Sequence, residues 1–388
     1  MPEALIVGGG IGGLATAVAF LRQGWRVEVL ERAAEITEVG AGLSLWPNAL
    51  RALDALGVGD QVRARAVEQG AAGIRDRAGR WLTRMDTEAI RARYGNPIMM
   101  HRADLVNVLR SALPAEAVRT GVTVAEARVD GTVVHSAGTS GGDVVVGARG
   151  LRSVGGPAPA PPGGPAAGGP DGIRSVVRRA VSGEVRPRYG GYTAWRVVVT
   201  PRRPVTEMGE SWGRGERFGY VPLVDGRVYC FATANMPEAT PSGGSAELRT
   251  RFGGWHEPIP ALLAAAEGAE VLKHDLYDLP ALKTFVAGRI ALVGDAAHAM
   301  LPTLGQGACQ ALEDAVVLSR VAAAGGGLAG YDRERRPRTR MIASRSRRLG
   351  AAAQLSFPPA VAFRDAVVRA IPASVQLRSL ASVLDWRC

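Results

Sequence analysis

The chain has 388 residues, enough for two domains or one large interrupted one, with an ordinary soluble balance of 47% hydrophobic and 21% charged residues. Its net charge of +11 is carried almost wholly by scattered arginines, since lysine stands only at 273 and 283. Such a charge favours solubility and attraction for anionic ligands and invites a nucleic-acid-binding reading, which ranks last because the basic residues are scattered.

Three cysteines, Cys230, Cys309 and Cys388, are odd in number and far apart, which argues against a disulfide framework and for a reducing compartment, the cytoplasm. The N-terminal run ALIVGGG starts after Glu3 and breaks into glycines, which is not the pattern of a signal peptide. No apolar run approaches membrane-spanning length, so no membrane partner is expected.

The first predicted unit is strand, glycine turn, helix, strand and acid. Ala4 to Val7 is apolar, and Gly8-Gly9-Gly10-Ile11-Gly12-Gly13 follows. LATAVAFLRQG then has helical periodicity, and WRVEVLE ends on Glu31. Gly8 permits the tight turn, Gly10 lets backbone approach a diphosphate, and Gly13 lets helix and strand pack closely. The helix start supplies N–H donors to the phosphates, and Glu31 is placed to accept from a ribose. The acid disfavours a 2′-phosphate, leaving FAD and NAD as candidates at this turn.

Further along, Trp46 is either a core aromatic or a pocket wall. The strand DVVVGA ends at Ala148 and runs into GARGLRS, then a spacer of Gly, Pro and Ala, then DGIRSVVRR. GARGLRS and DGIRS look like two attempts at one motif, and the composition of the loop between them at 149–170 predicts a flexible insert. Of the two, DGIRSVVRR is favoured over the Arg149–Ser153 stretch because it has the acid, Asp171, and leads into an apolar-periodic helix. From Tyr189 to about Asp278, alternation and turns such as Asp225-Gly226 predict a mostly antiparallel sheet. Arg196 there either binds an anionic or phenolate substrate or pairs within the sheet.

Arg289 to Val293 predicts a strand ended by Gly294-Asp295, and Gly305-Gln306-Gly307 opens a helix running to about Val321. A carboxylate here suits the hydroxyls of a ribityl chain, and the helix start suits the pyrimidine edge of an isoalloxazine. His298 is expected to make a structural hydrogen bond and Cys309 to be packed and inert. The five histidines show no metal-ligand spacing, so no metal is expected.

With GDAAHAMLPTLGQGACQALEDA, GLSLWPNALRAL, HRADLVNVL and TAWR in order, the sequence resembles the class A, single-component FAD-dependent aromatic monooxygenases, in their salicylate-hydroxylase-like and urate-hydroxylase-like branch. The resemblance runs from Leu5 to about Arg348. It implies that Gly8, Gly10, Ile11, Gly12, Gly13, Glu31 and Arg32 bind the ADP part of FAD. Gly42 and Leu43 would lie along the flavin, Arg102 would reach the FAD from a helix start, and Val124 would offer main chain to the adenine. Gly294 and Asp295 would take the ribityl chain, and Pro302, Gly305 and Gly307 would line the isoalloxazine. Asp171 would lie near FAD and the coenzyme's path, with Pro302 and Arg196 facing the substrate.

The implied fold is α/β, more fully a two-domain α+β arrangement. A Rossmann-like FAD-binding domain of glutathione-reductase type is interrupted by a mostly antiparallel substrate domain and followed by C-terminal helices. The expected divisions are FAD-binding segments at 1–72, 98–184 and 286–345, substrate-domain strands at 73–97, a substrate sheet at 185–285 and helices at 346–388. The implied activity uses NADH or NADPH and O2 to hydroxylate or epoxidise a small, electron-rich aromatic substrate through a C4a-hydroperoxyflavin, in a monomer or homodimer. The alternatives are a flavin reductase or dehydrogenase on the same scaffold, and a flavin-binding homologue impaired by the insert.

Overall fold

The computed structural model describes residues 1–36, 42–70, 72–148 and 175–387. The strand Glu3–Val7 lies at the centre of a six-stranded sheet, parallel to Arg26–Leu30 on one side and Val144–Gly147 on the other. Val118–Arg119 extends it beyond Arg26–Leu30, and Ile290–Leu292 pairs parallel to Val144–Gly147. An antiparallel edge strand, Val286–Ala287, completes it. Ala4, Leu5 and Ile6 are fully buried, as a central parallel strand covered on both faces requires. The helix Ile11–Arg22 packs against the helix Gly307–Ala323, so the two glycine-rich segments, far apart in sequence, meet over one sheet.

The second sheet has seven strands. In order they are Leu272–Asp278, Arg188–Val199, Val228–Asn235, Glu216–Pro222, Gly209–Trp212, Gly73–Asp76 and Trp81–Arg84. Every pairing is antiparallel except that of Gly209–Trp212 with Gly73–Asp76. The segment 73–97 thus places two strands at this sheet's edge and adds the helix Thr87–Tyr94. Within 185–285 the sheet is joined by two helices absent from the sequence reading, Gly244–Phe252 and Ile259–Ala265.

Side chains alternate across the sheet. Trp195, Val197, Phe218, Tyr220 and Cys230 pack under those two helices with Leu248, Phe252 and Leu262. The other face carries Tyr192 and Ala194, which pack on Leu301, and Tyr229, which packs with Met99. Met99 belongs to a small sheet of Gly42–Leu45, Ile98–His101 and Val67–Glu68. The antiparallel face therefore lies against this small sheet and against the segment that carries Leu301.

The helix Ala329–Ala353 runs unbroken through the boundary expected at 345. Tyr331 within it donates its hydroxyl to the Leu292 carbonyl at 2.7 Å, fastening the helix to the parallel sheet. The helices Pro358–Ala370 and Ala373–Leu384 follow. No single helix among the described residues is long and apolar enough to cross a membrane.

Candidate active site

The first glycine loop is shaped by close approach. Gly8 has φ +116° and donates its N–H to the Leu30 carbonyl at 2.9 Å. A Cβ at Gly13 would lie 1.8 Å from the Gly8 carbonyl oxygen, so only glycine fits there. A Cβ at Gly12 would lie 3.3 Å from Ala311, marking the contact between the two helices. At Gly10 a Cβ would meet nothing within 4 Å, so the loop is open on that side. The helix beginning at Ile11 has no side-chain cap, which leaves its first N–H groups for an anion.

Glu31 docks on this loop. Its carboxylate accepts from Gly9 N–H at 2.7 Å and from Ala33 N–H at 2.9 Å. Arg32 beside it is half-buried. Val122 N–H donates to the Glu31 carbonyl at 2.9 Å, which brings Val124 close to the same corner. Val124 opens a strand paired antiparallel with His135.

The second loop leaves the strand Ile290–Leu292 through Gly294 at φ +57° and forms a short helix, Asp295–His298. Asp295 is half-buried at its start. A tight turn, Pro302–Leu304, follows with Pro302 exposed, and Gly305 at φ +61° leads into the uncapped helix that begins at Gly307. Beneath this loop lies a buried charge network. Asp314 accepts from Gly294 N–H at 2.9 Å, pairs with His298 Nε2 at 2.6 Å and accepts from Arg335 Nε at 2.7 Å. Glu313 accepts from Arg335, from Arg338 Nε at 2.7 Å and from Asn48 Nδ2 at 2.7 Å. Asn48 Nδ2 also donates to Gln306 Oε1 at 3.0 Å, next to Gly305.

Burial alone would raise the Asp314 pKa, but the charges and hydrogen bonds of His298 and Arg335 outweigh it and hold the carboxyl at about 2. The same balance, with burial opposed by Arg335 and Arg338, lowers Glu313. His298 thus makes the structural bond expected of it. Cys309 is fully buried, its thiol pushed up to about 12 by burial, as an inert packed cysteine should be. Sequence reasoning missed Glu313, Asp314 and Arg335; their signal was an acid pair inside an otherwise apolar helix.

Opposite the loops, Gly42 approaches the Tyr229 ring so closely that a Cβ would lie 2.5 Å from Cδ1. Leu43 pairs in register with Met100, and Arg102 begins the helix Arg102–Ser111 after His101. The Tyr229 phenol is pushed up by burial and drawn back by its hydrogen bond to Arg196 and by the charges of Arg196 and Arg102. Arg196 bonds this tyrosine and Gly42 packs on its ring. Arg196 pairs within the sheet through its hydrogen bond to Tyr229 on the neighbouring strand, and that strand face is the one that meets Gly42. Asp171 and the insert 149–170 lie outside the described residues.

Whether FAD suits this frame is decided by what the frame leaves open. Gly10 and Gly307 both face open space at their missing Cβ positions. Around Gly305 the buried Trp46 Nε1, Asn48 Oδ1 and Gln306 Nε2 have no protein partner among the described residues. A Cβ on Gly305 would lie 3.2 Å from Trp46 Nε1, so Trp46 is packed on the core and also walls the loop. Unsatisfied buried polar atoms beside two uncapped helix starts fit a large polar cofactor such as FAD.

The Asp314 carboxyl is held below its unfolded value, so its contribution is complete above the usual carboxylate range and is lost as pH falls toward about 2. Asp314→Asn is expected to cost about 3–5 kcal/mol at neutral pH by leaving Arg335 partly uncompensated. Denaturant unfolding from pH 6 to pH 2 should show that difference shrinking below about pH 4; a constant difference would contradict the assignment.

A family model described as an FAD binding domain matches residues 1–153 and 265–346. The chain is 39% identical to an aurachin C monooxygenase/isomerase of Stigmatella aurantiaca, over 81% of this chain and 79% of that protein. It is 35% identical to a 3-amino-4-hydroxybenzoate 2-monooxygenase of Streptomyces cremeus, over 94% of this chain and 91% of that one. The crystal structure of Klebsiella pneumoniae HpxO complexed with FAD and uric acid superposes with a TM-score of 0.84 at 27% identity, covering 99% of this chain and 96% of that one. The glycine loops, the parallel sheet and the substrate-side sheet therefore make this chain a member of the FAD-binding-domain family and, within it, of the FAD-dependent monooxygenases.

Proposed function

We propose that the chain uses FAD, a nicotinamide coenzyme (NADH or NADPH) and O2 to hydroxylate a small, electron-rich aromatic or heteroaromatic substrate. The observation that carries this reading is Arg196, bonded to Tyr229 on the sheet face that packs against Gly42 of the nucleotide-binding half. The protein's relatives named for 3-amino-4-hydroxybenzoate and crystallised with uric acid act on or hold such rings.

The parts assigned to the residues are those the family resemblance implies, and the loop geometry supports them. Gly8, Gly10, Ile11, Gly12 and Gly13 form the diphosphate seat at the helix start. Glu31, with two lone-pair sites engaged by the loop, keeps capacity for ribose hydroxyls. Arg32 stands beside the adenosine, and Val124 presents main chain to the adenine. Gly294 and Asp295 face the ribityl chain, while Gly42, Leu43, Pro302, Gly305 and Gly307 border the ring system. Arg102 approaches it from its helix start. Asp171 is assigned to the coenzyme's path from sequence alone.

Bound flavin supplies the two-electron redox and oxygen chemistry; the chain's task is to orient the ring and exclude water. Arg196 is the cation for an acidic or phenolic substituent, and Pro302 shapes the wall opposite. The buried free thiols Cys230 and Cys309 suit a reducing compartment, the cytoplasm.

Coenzyme oxidation by the FAD-loaded protein, tested with 3-amino-4-hydroxybenzoate, uric acid, phenols and quinolones under 18O2, should yield a product carrying one labelled oxygen. Coenzyme oxidation stimulated by these compounds without label in any product would support the reductase reading instead. Arg196→Met should raise KM for an acidic aromatic substrate by about 10–100-fold, the worth of one charged hydrogen bond, with FAD content retained. An unchanged KM would remove Arg196 from the substrate site.

A further inference from the structure

A cleft of about 260 Å³ opens on the other side of His298, between the helix Ala329–Ala353 and the segment that follows Asp278. Its lining includes Arg188, Arg336, Arg340, Arg347, Asp278 and His298. Asp278 is the lone carboxylate of that lining, and it is already shared: Arg188 donates to it at 3.1 and 3.0 Å and Arg347 at 2.7 Å. Arg336 is paired one turn back with Asp332 at 3.1 Å. Arg340 has no carboxylate within 4 Å among the described residues. His298 spends Nε2 on Asp314, while its buried Nδ1 has no partner among the described residues.

Four guanidinium groups share two carboxylates, Asp278 and Asp332, which leaves uncompensated positive charge, and a bound anion relieves their repulsion. The forked donors of arginine match phosphate oxygens. The cavity is smaller than the roughly 300–1,000 Å³ that encloses a drug-sized ligand, so it suits a phosphate or diphosphate group and not a whole dinucleotide. We propose that this cleft is a phosphate-binding site, built from residues other than those that seat the flavin. It takes either the diphosphate of the nicotinamide coenzyme or a free phosphate ligand.

The same helix reaches the flavin loop. Ser346 donates to the Leu301 carbonyl at 2.5 Å, and Leu304 N–H lies 3.4 Å from Ser346 Oγ. An anion held by Arg340 and Arg347 therefore acts on the element that supports Pro302.

The test is calorimetric titration of the FAD-loaded full chain with inorganic pyrophosphate. Wild type should bind at one saturable, salt-weakened site, and Arg340→Gln should weaken it about tenfold while retaining FAD and thermal midpoint. If Arg340→Gln loses FAD, Arg336→Gln reads the same site. Pyrophosphate that competes with NADH or NADPH in anaerobic flavin reduction identifies the coenzyme's diphosphate as the ligand. Pyrophosphate that binds without competing identifies a free phosphate ligand. Absence of saturable binding to wild type, or equal affinity in the variants, overturns the proposal whether or not the protein hydroxylates any substrate.

Discussion

The buried pairing of Arg335 with Glu313 and Asp314 is the constraint on which the rest of the structure depends. All three side chains are completely shielded from solvent. None can be left there alone, because an uncompensated buried charge is strongly destabilising. The helices Gly307–Ala323 and Ala329–Ala353 must therefore meet in one register. With that register set, Asp314 has an oxygen left for Gly294 N–H and His298, which places the second flavin loop. Glu313 reaches Arg338, which goes on to the Ser382 and Val383 carbonyls at 2.8 and 2.7 Å, so the end of the chain is tied to the same point. Such a network is no more stabilising than well-packed apolar residues would be; its value is positional.

Position matters because the site is assembled from remote pieces. The first loop lies near residue 10, the second near residue 300, and the covering sheet face comes from between them. Alternation along Arg188–Val199 turns Trp195 toward the helical cover and Arg196 toward Tyr229 on the opposite face. The near-contact of Gly42 with Tyr229 sets how closely that sheet approaches the nucleotide-binding half.

Much of this was legible in the sequence because it is local. Gly8, Gly13 and Glu31 act within one strand–turn–helix–strand unit, where spacing alone dictates geometry. The strand before Gly294 and the helix after Gly305 were legible for the same reason. The edge pairing of Gly73–Asp76 with Gly209–Trp212 was not, because it joins segments more than a hundred residues apart and no local pattern encodes a partner. The acid pair Glu313-Asp314 sits at buried positions of an apolar helix, a violation of patterning that points to a remote cation without saying which of many arginines supplies it. Arg335 is found only when the helices are packed. Arg196 was partly legible: strand alternation opposes it to the core residue Trp195, but its neighbour Tyr229 lies on another strand.

The claim that this buried network seats the flavin loop is tested most directly by a double-mutant cycle on FAD affinity. Asp314→Asn, Arg335→Met and the double variant should each bind FAD at least about tenfold more weakly than wild type, with the double no worse than the worse single. Wild-type affinity in either single variant, or additive losses in the double, would contradict it.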